Sequence, residues 1–219
     1  MKKEINLLKN YPKTKRNLNQ RLISKTPKNR KIARKFGKDF FDGKRQHGYG
    51  GFEYNPKFWK KVIPDLIKHW SLNKKSSFLD VGCAKGFMLY DLKKKIPEIK
   101  INGVDISKYA IRNSKKEIKK YLKVANAIKL PFKSSSFDVV ISINTIHNLP
   151  LKDCKKAILE IQRVSKKNCF ITVDAYRNKN ERKKMFAWNL TAKTILSVNK
   201  WKKLFKDIGY KGDYYWFIP

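Results

Sequence analysis

A run of small residues beside a carboxylate is the first stretch of the sequence that could do chemistry. Asp80 lies in the apolar run FLDV, and Gly82, Ala84 and Gly86 follow it at alternate positions. Small side chains let a ligand approach the backbone closely, and the carboxylate can orient the turn or receive a cation. The stretch therefore predicts a ligand-binding turn that joins a strand to a helix.

Two phosphate-binding patterns resemble this turn, and the spacing excludes both. A Walker A loop needs GxxxxGK[ST], but the glycine after Gly82 comes too soon and is followed by Phe87. A dinucleotide fingerprint needs GxGxxG, but Ala84 takes the middle glycine position and only Lys85 separates it from Gly86. The turn is therefore expected to hold something other than a phosphate group.

Further carboxylates fall near the ends of predicted strands, although the chain has only 17 acidic residues. Asp105 closes the run KINGVD, Asp138 opens the strand predicted over DVVISIN, and Asp174 lies in NCFITVDAY. In a parallel α/β sheet, ligands bind outside the carboxyl ends of the strands. Each acid alone is compatible with a structural role, but together with the turn they predict a site at that edge.

The order of elements from Ser77 onward predicts the fold class. Five βα units are expected, with one helix over SKYAIRNSKKEIKKYL and a last strand over DYYWFI, while the outermost edge of the sheet stays open. FDVVISIN is typical of a strand buried on both faces. Before the sheet, FWKKVIPDLIKHW predicts a helix that Pro64 either kinks or starts. We predict an α/β protein with a Rossmann-like, doubly wound, mostly parallel sheet and helices on both faces.

The chain is predicted to have three parts. Residues 1–45 form a basic helical arm whose short helices are broken around Pro27, and residues 46–76 form a loop, HGYGGFEYNP, with a leading helix. Residues 77–219 form the core, with a helical insertion near residues 178–198.

The net charge of +36 has two interpretations. Lys and Arg total 53, but only nine are Arg, the residue that supplies bidentate contacts to nucleic acids. The basic residues are also spread over the chain, with 16 of them in residues 1–45. A solvated lysine-rich surface is therefore favoured, and a dedicated RNA or DNA patch remains the alternative.

Cysteine usage and apolar runs predict the compartment. Cys83, Cys154 and Cys169 are scattered and form no CxxC pair, which indicates a reduced environment. The amino terminus lacks an apolar signal-peptide region, and the longest uncharged run, residues 139–151, is shorter than the roughly 18 residues of a membrane span. We therefore expect a soluble, cytoplasmic protein without a membrane span.

The loops after residue 77 resemble those of a known enzyme family. The pattern D-x-G-x-[GA]-x-G from Asp80 to Gly86 resembles motif I of class I S-adenosylmethionine-dependent methyltransferases. ANAIKLPFKSSSFDVV is similar to the family's third loop, GDAxxLPFxxxSFD, and INTIHNLP to its polar segment after the fourth strand. HGYGGFEY, INTIHNLP and GDYYW together resemble a narrower bacterial family of small methyltransferases, similar to type 11.

The resemblance implies S-adenosylmethionine as the cofactor. Asp105, 19 residues after Gly86, is placed at the ribose hydroxyls, and Asn126 stands where an Asp commonly meets the adenine amino group. An Asn oxygen can accept that hydrogen bond without the charge. The implied cofactor set is Asp80, Gly82, Cys83, Ala84, Gly86, Asp105, Ile106, Asn126, Ala127 and Asn144.

Two residues are candidates for catalysis. Methyl transfer depends on alignment of nucleophile, methyl and sulfur, and a base is needed only for a hydroxyl or a protonated amine. His147, just after the fourth strand, is the candidate general base, and a loop histidine bonded to backbone is the alternative. Tyr49, in the glycine-rich loop up to Phe52, is expected either to close as a lid over the sulfonium or to pack as a rigid loop.

The acceptor is expected to be a small molecule, such as a sugar or another metabolite, methylated on O or N. An RNA or protein methyltransferase recruited through the basic arm is the alternative enzyme, and a non-catalytic cofactor-binding scaffold is a third interpretation. No metal site is predicted, and the oligomeric state stays open. Met185 and Phe186 are expected in the core, and Trp188 and Leu190 either in the core or over the acceptor pocket. Asp174 and Tyr176 are expected to make further acceptor contacts.

Replacing Asp105 by Ala is expected to weaken S-adenosylmethionine binding more than tenfold. The substitution removes a charged double hydrogen bond to the ribose, worth roughly 1.5–3 kcal/mol per bond. Titration calorimetry on the purified variant measures the effect, and unchanged binding with an intact fold would refute the assignment.

Overall fold

Seven strands form one sheet in the structure, a computed structural model that describes residues 2–13 and 17–219. The strands are β1 (Ser77–Val81), β2 (Lys100–Asp105), β3 (Leu122–Val124), β4 (Phe137–Ile143), β5 (Ser165–Tyr176), β6 (Leu196–Ser197) and β7 (Asp213–Phe217). Their order is β3-β2-β1-β4-β5-β6, with β7 also paired to β5, and each of these pairings is parallel.

The helices flank the strands and precede them. Among the described residues, each helix is too short or too polar to cross a membrane. They are α1 (Leu18–Ser24), α2 (Pro27–Ala33), α3 (Lys38–Phe41), α4 (Ile63–Trp70), α5 (Phe87–Lys95), α6 (Lys108–Arg112), α7 (Lys116–Lys119), α8 (Leu151–Val164), α9 (Lys179–Trp188) and α10 (Val198–Asp207), with 3₁₀ turns at Arg45–His47 and Ile146–Asn148.

Apolar side chains cover both faces of the sheet, as the buried-strand pattern predicts. Leu79 of β1 packs in one cluster with Ile158 of α8, and the neighbouring Phe78 packs in the other with Leu66 of α4. Alternate strand residues point to opposite faces, so each face needs its own helical layer. The α/β, Rossmann-like, doubly wound class is confirmed.

The structure changes the prediction for the helix after β2 and decides the role of Pro64 in α4. The single helix expected after β2 is wrong, because α6 and α7 are separate. Asn113 Nδ2 donates to the Tyr109 carbonyl at 2.8 Å and Ser114 Oγ donates to the Ile111 carbonyl at 2.8 Å, so these side chains take carbonyls from the helical ladder. Pro64 lies in the first turn of α4 and marks its start, where a missing N–H costs nothing.

The outer edge of the sheet, left open by the sequence, is shared by three segments. β5 is 12 residues long, so β7 pairs with residues 170–174 and β6 with residues 175–176. Glu4 then bridges Tyr214 in parallel, with the Ile5 N–H donating to the Tyr214 carbonyl at 3.0 Å. The first residues of the chain therefore cover the edge of β7.

The basic arm packs against the segment that ends α9. α2 begins at Pro27 with Thr26 as its N-cap, so the predicted break is confirmed. The carbonyl oxygens of residues 186–192 lie at or beyond the end of α9, where a helix leaves acceptors without internal partners. Four cations of the arm donate to these oxygens: Arg21, Lys25, Arg30 and Arg34.

Candidate functional site

A pocket of about 1110 Å³ opens at the carboxyl ends of β1, β2, β4 and β5. Ligand pockets commonly hold ~300–1,000 Å³, so this one has room for two small molecules side by side. Its motif half consists of residues 80–84, 104–106 and 125–127. Its arm half consists of the ends of β4 and β5, the pocket-lining residues between 177 and 193, and Arg21 and Arg34 of the arm.

The turn after β1 is held tightly onto β2. The N–H groups of Gly82 and Cys83 both donate to the Val104 carbonyl, at 2.7 and 3.0 Å. Gly82 has φ +90°, and a Cβ there would lie 2.1 Å from Thr145 Oγ1. Only glycine meets both conditions, and the turn leaves the backbone of residues 82–84 facing the pocket.

Asp105 joins the turn to the residue that begins the next helical segment. Its Oδ2 accepts from the Ala84 N–H at 2.8 Å, and its Oδ1 accepts from the Ser107 N–H at 2.8 Å. Burial raises the pKa of Asp105, and these two hydrogen bonds oppose the rise. Each oxygen keeps a further lone pair, so Asp105 can clasp the loop and still accept a diol, and Asp105→Ala removes both functions.

Asp80 is a buried carboxylate with no hydrogen bond or ion pair within residues 2–13 and 17–219. It lines the motif half, and burial together with the nearby Asp105 charge raises its pKa to about 8. An unpaired carboxylate in such a place is costly when ionised and is relieved by a cation. The site therefore fits a ligand with a positively charged group.

The far end of the motif half is more open. Ile106 is 54% exposed, an apolar side chain on the pocket wall. Asn126 Oδ1 accepts from the Ile128 N–H at 3.2 Å, which fixes its amide beside Ala127. Cys83 also lines the wall, but burial raises its pKa well above the ordinary value, so it is an inert thiol.

Gly86, the last small residue of the turn, does not line the pocket. It is the N-cap of α5 with φ +73°, and a Cβ would lie 2.6 Å from Ile118 Cδ1 and 2.8 Å from Leu122 Cδ1. Gly86 therefore allows α5 to pack against α7 and β3. Its spacing indicated the loop correctly but gave no information on which side the ligand lies.

Asn144 lines the pocket just after β4. Its N–H donates to Thr172 Oγ1 at 2.9 Å, and its Oδ1 accepts from the same hydroxyl at 2.9 Å. This double contact with β5 stabilises a backbone with φ +51°. The Nδ2 group of Asn144 forms no hydrogen bond within the described part of the chain and can donate to a ligand.

His147 lines the arm half and is buried. Its Nδ1 accepts from the Asp174 N–H at 3.1 Å, which places the ring proton on Nε2, 3.7 Å from Asp174 Oδ2. Burial lowers the pKa of His147, although the Asp174 carboxylate raises it. The lone pair that a general base needs is thus already in use.

Asp174 lines the pocket beside His147. Its Oδ2 accepts from Asn189 Nδ2 at 2.5 Å, and its Oδ1 has no hydrogen bond to any described residue. Tyr176, two residues later, does not line the pocket.

The insertion after β5 closes the arm half from one side. Met185 is fully buried, as predicted, but Phe186 is 42% exposed and the prediction of a core position is wrong. Phe186 lies on the outer side of α9, where Arg182 stacks over its ring at 5.0 Å. Trp188 and Leu190 line the pocket, which is one of the two positions expected for them.

An aromatic roof, formed by residues 36–52, covers the motif half. Tyr49 packs on Phe52, with ring centroids 4.3 Å apart, and on Phe41 at 5.8 Å. Asp42 fixes this roof to the turn, because its carboxylate accepts from Lys85 Nζ at 2.7 Å and from the Phe52 N–H at 2.9 Å. These contacts favour the rigid-loop interpretation of residues 49–52 over the mobile lid.

No pattern in the sequence indicates the ion pair between Asp42 and Lys85. Tyr109 also donates to Asp42 Oδ2, at 2.7 Å, so three distant parts of the chain meet at one carboxylate. Within the described ranges, no cluster of three or more His, Cys, Asp or Glu side chains could hold a metal ion.

Residues 72–213 match the profile of a family described as a methyltransferase domain. The chain belongs to this methyltransferase family. The match begins just before β1 and ends at the start of β7, so it contains the whole motif half of the pocket, whereas the arm and the roof lie outside it.

Two curated relatives of this methyltransferase domain match only part of their own length. An uncharacterized protein of Haemophilus influenzae is 32% identical over 165 residues, covering 69% of the chain and 65% of that protein. The tRNA (carboxymethyluridine(34)-5-O)-methyltransferase of Arabidopsis thaliana is 33% identical over 124 residues, covering 56% of the chain and 29% of that protein. The chain thus spans less than two thirds of either relative.

A solved structure supports the fold. Phosphoethanolamine N-methyltransferase 2 of Haemonchus contortus, in complex with phosphomonomethylethanolamine and S-adenosylhomocysteine, aligns with a TM-score of 0.59 and 17% identity. The alignment covers 81% of the chain and 44% of that protein. At this identity the likeness shows the shared fold alone.

Binding of S-adenosylmethionine near pH 6.5 is expected to release protons from the methyltransferase domain. Asp80, with its pKa raised to about 8, is mostly protonated in the empty pocket. A bound ammonium stabilises the carboxylate and lowers that pKa, so affinity should rise with pH up to about 8. The ligand amine is already protonated at this pH and contributes no release.

Calorimetry in two buffers of different ionisation enthalpy measures the number of protons released. Asp80→Asn should abolish the release, and Asp207→Asn, an exposed carboxylate on α10, should leave it unchanged. Equal heats in both buffers for the wild-type chain would contradict the role given to Asp80.

Proposed function

We propose that this protein is an S-adenosylmethionine-dependent methyltransferase that methylates an O or N atom of a small molecule. The observation that carries the proposal is the unpaired, buried carboxylate of Asp80 beside the backbone-clasping Asp105, in a chain of the methyltransferase family. The pair fits a cofactor with a cationic amino-acid end and a ribose diol, and no phosphate.

The cofactor supplies an electrophilic methyl group on a sulfonium. Asp105 would accept from the ribose hydroxyls, and Asp80 would receive the ammonium. Ile106 and Ala127 would provide apolar contacts to the adenine, and Asn126 a polar one. The backbone of residues 82–84 faces the pocket, and the small residues there let the amino-acid end approach it closely.

The chain's own contribution to the reaction is alignment in a pocket shielded from water. The roof and the arm enclose the two halves, so nucleophile and methyl group can be held in line. Asp174 Oδ1 is the oxygen best placed to accept a proton from a hydroxyl or ammonium in the arm half. His147 would hold Asp174 by accepting its N–H, a positioning role in place of the general-base role that the sequence predicts.

An RNA substrate is the second candidate, favoured by the 33% identity to a tRNA methyltransferase. The arm supports it less, because Arg21, Arg30 and Arg34 donate to carbonyls of the same chain. A polymer bound through phosphates would lose affinity steeply as salt rises, whereas a small acceptor would not.

A methyl-labelled cofactor incubated with a fractionated cell extract tests the function. Label is expected in the small-molecule fraction, with little change in rate between about 50 and 200 mM salt, since few phosphate contacts are made. Asp105→Asn should remove most of the transfer, and Asp207→Asn should retain it. Label in RNA would support the second candidate, and cofactor binding without any transfer would support a scaffold.

His147→Asn is expected to lower turnover by less than about tenfold and to leave the pH dependence of the rate unchanged. An Asn oxygen can replace Nδ1 as acceptor for the Asp174 N–H, so Asp174 stays in place. Loss of a general base would instead cost roughly 10²–10⁴ and remove an inflection from the pH–rate profile. The profiles of wild type and variant, on the labelled small-molecule fraction, separate the two roles.

A further inference from the structure

Positive charge without carboxylate partners collects in the arm half of the pocket. Two acids line it: Glu181 pairs with Arg177 at 3.4 Å, and Asp174 is bound to Asn189. No ion pair within the described residues involves the other cations of this half, which are Arg21, Arg34 and Lys193. The motif half has the opposite sign, with Asp80 and Asp105.

Arg21 is one of the two guanidiniums among these cations. It is half-buried, its Nε donates to the Trp188 carbonyl at 3.3 Å, and its two Nη groups form no hydrogen bond to any described residue. Burial lowers the pKa of Arg21, and the positive charges of Arg45 and Arg30 lower it further. A guanidinium held in this way gains from a bound anion.

Arg34 presents a second guanidinium to the same pocket. Its Nε and Nη2 donate to the carbonyls of Thr191 and Ala192, at 3.1 and 3.2 Å, while Nη1 has no partner within the described part. Backbone carbonyls therefore orient both arginines without neutralising them. A planar guanidinium fixed along one edge offers its remaining N–H groups to the two oxygens of a phosphate or carboxylate.

We propose that the arm half binds the acceptor through a negatively charged group, a phosphate or a carboxylate, with Arg21 as the main ligand and Arg34 as a second one. The proposal deepens the proposed function and rests on it, since it names the substrate class of the same site. The acceptor thus carries an anionic group at the arm and a hydroxyl or amine toward Asp174.

Titration of inorganic phosphate into the full chain at constant ionic strength, followed by phosphorus NMR, tests the site. The titration is done with and without saturating S-adenosylhomocysteine, and acetate in a parallel titration represents a carboxylate. Arg21→Gln is expected to weaken binding of the preferred anion at least tenfold, and Arg21→Lys, which keeps the charge, to weaken it less. Lys28→Gln is the matched control, because this exposed residue of α2 lies outside the pocket.

Phosphate binding that depends on Arg21 supports a phosphorylated acceptor, and acetate binding that depends on Arg21 supports a carboxylated one. Equal binding of both anions by Arg21→Gln and Lys28→Gln would overturn the proposal, as would binding of neither anion by the wild-type chain. A single-stranded RNA that displaces phosphate from Arg21 at about 150 mM salt would overturn the small acceptor.

The same titrations separate this proposal from the proposed function. If S-adenosylhomocysteine fails to bind while phosphate binds through Arg21, the methyltransferase proposal fails and the anion site stands. If the cofactor product binds and phosphate does not, the anion site alone fails.

Discussion

The carboxylate of Asp105 is the interaction on which the site depends. It ends β2 and accepts N–H groups from Ala84 and Ser107, so it connects the turn after β1 to the start of α6. Hydrogen bonds to a charged group contribute roughly 1.5–3 kcal/mol each, enough to hold a turn that includes positive φ angles at Gly82 and Ala84. The same oxygens face the pocket, so the loop's anchor is also the proposed ribose ligand.

A second constraint is the charge of the chain itself. With a net charge of +36, cations outnumber the available carboxylates by far. Cations of the arm therefore donate hydrogen bonds to carbonyl oxygens at the end of α9 in place of carboxylates. These bonds join residues 17–34 to residues 186–192 and enclose the arm half. The two halves therefore differ in sign: carboxylates face the cationic cofactor expected on one side, and guanidiniums face the other.

Local patterns in the sequence predicted the sheet, the turn and the acids at its edge. Asp80, Gly82 and Asp105 could be identified because their spacing is fixed by a strand, a turn and the next strand. Side chains that act over long separations could not. Arg21 meets the Trp188 carbonyl 167 residues away, and Lys85 meets Asp42 43 residues away, so nothing near either residue in the sequence indicates the contact.

Three further positions depend on packing between distant parts of the chain. Gly86 shares the spacing of the turn and also packs toward α7 and β3, and periodicity alone could not place Phe186 on the outer side of α9. His147 was a reasonable candidate base from its position after β4. Its hydrogen bond to the Asp174 N–H depends on how β5 lies beside β4, which becomes visible only in the folded chain.

A crystal structure of the full chain with S-adenosylhomocysteine bound would show where the ribose, the ammonium and the sulfur of the ligand lie. We expect the ribose hydroxyls on Asp105, the ammonium on Asp80 and the sulfur directed into the arm half. Density for the ligand with its ribose away from Asp105, or with its sulfur directed away from the arm half, would contradict this expectation.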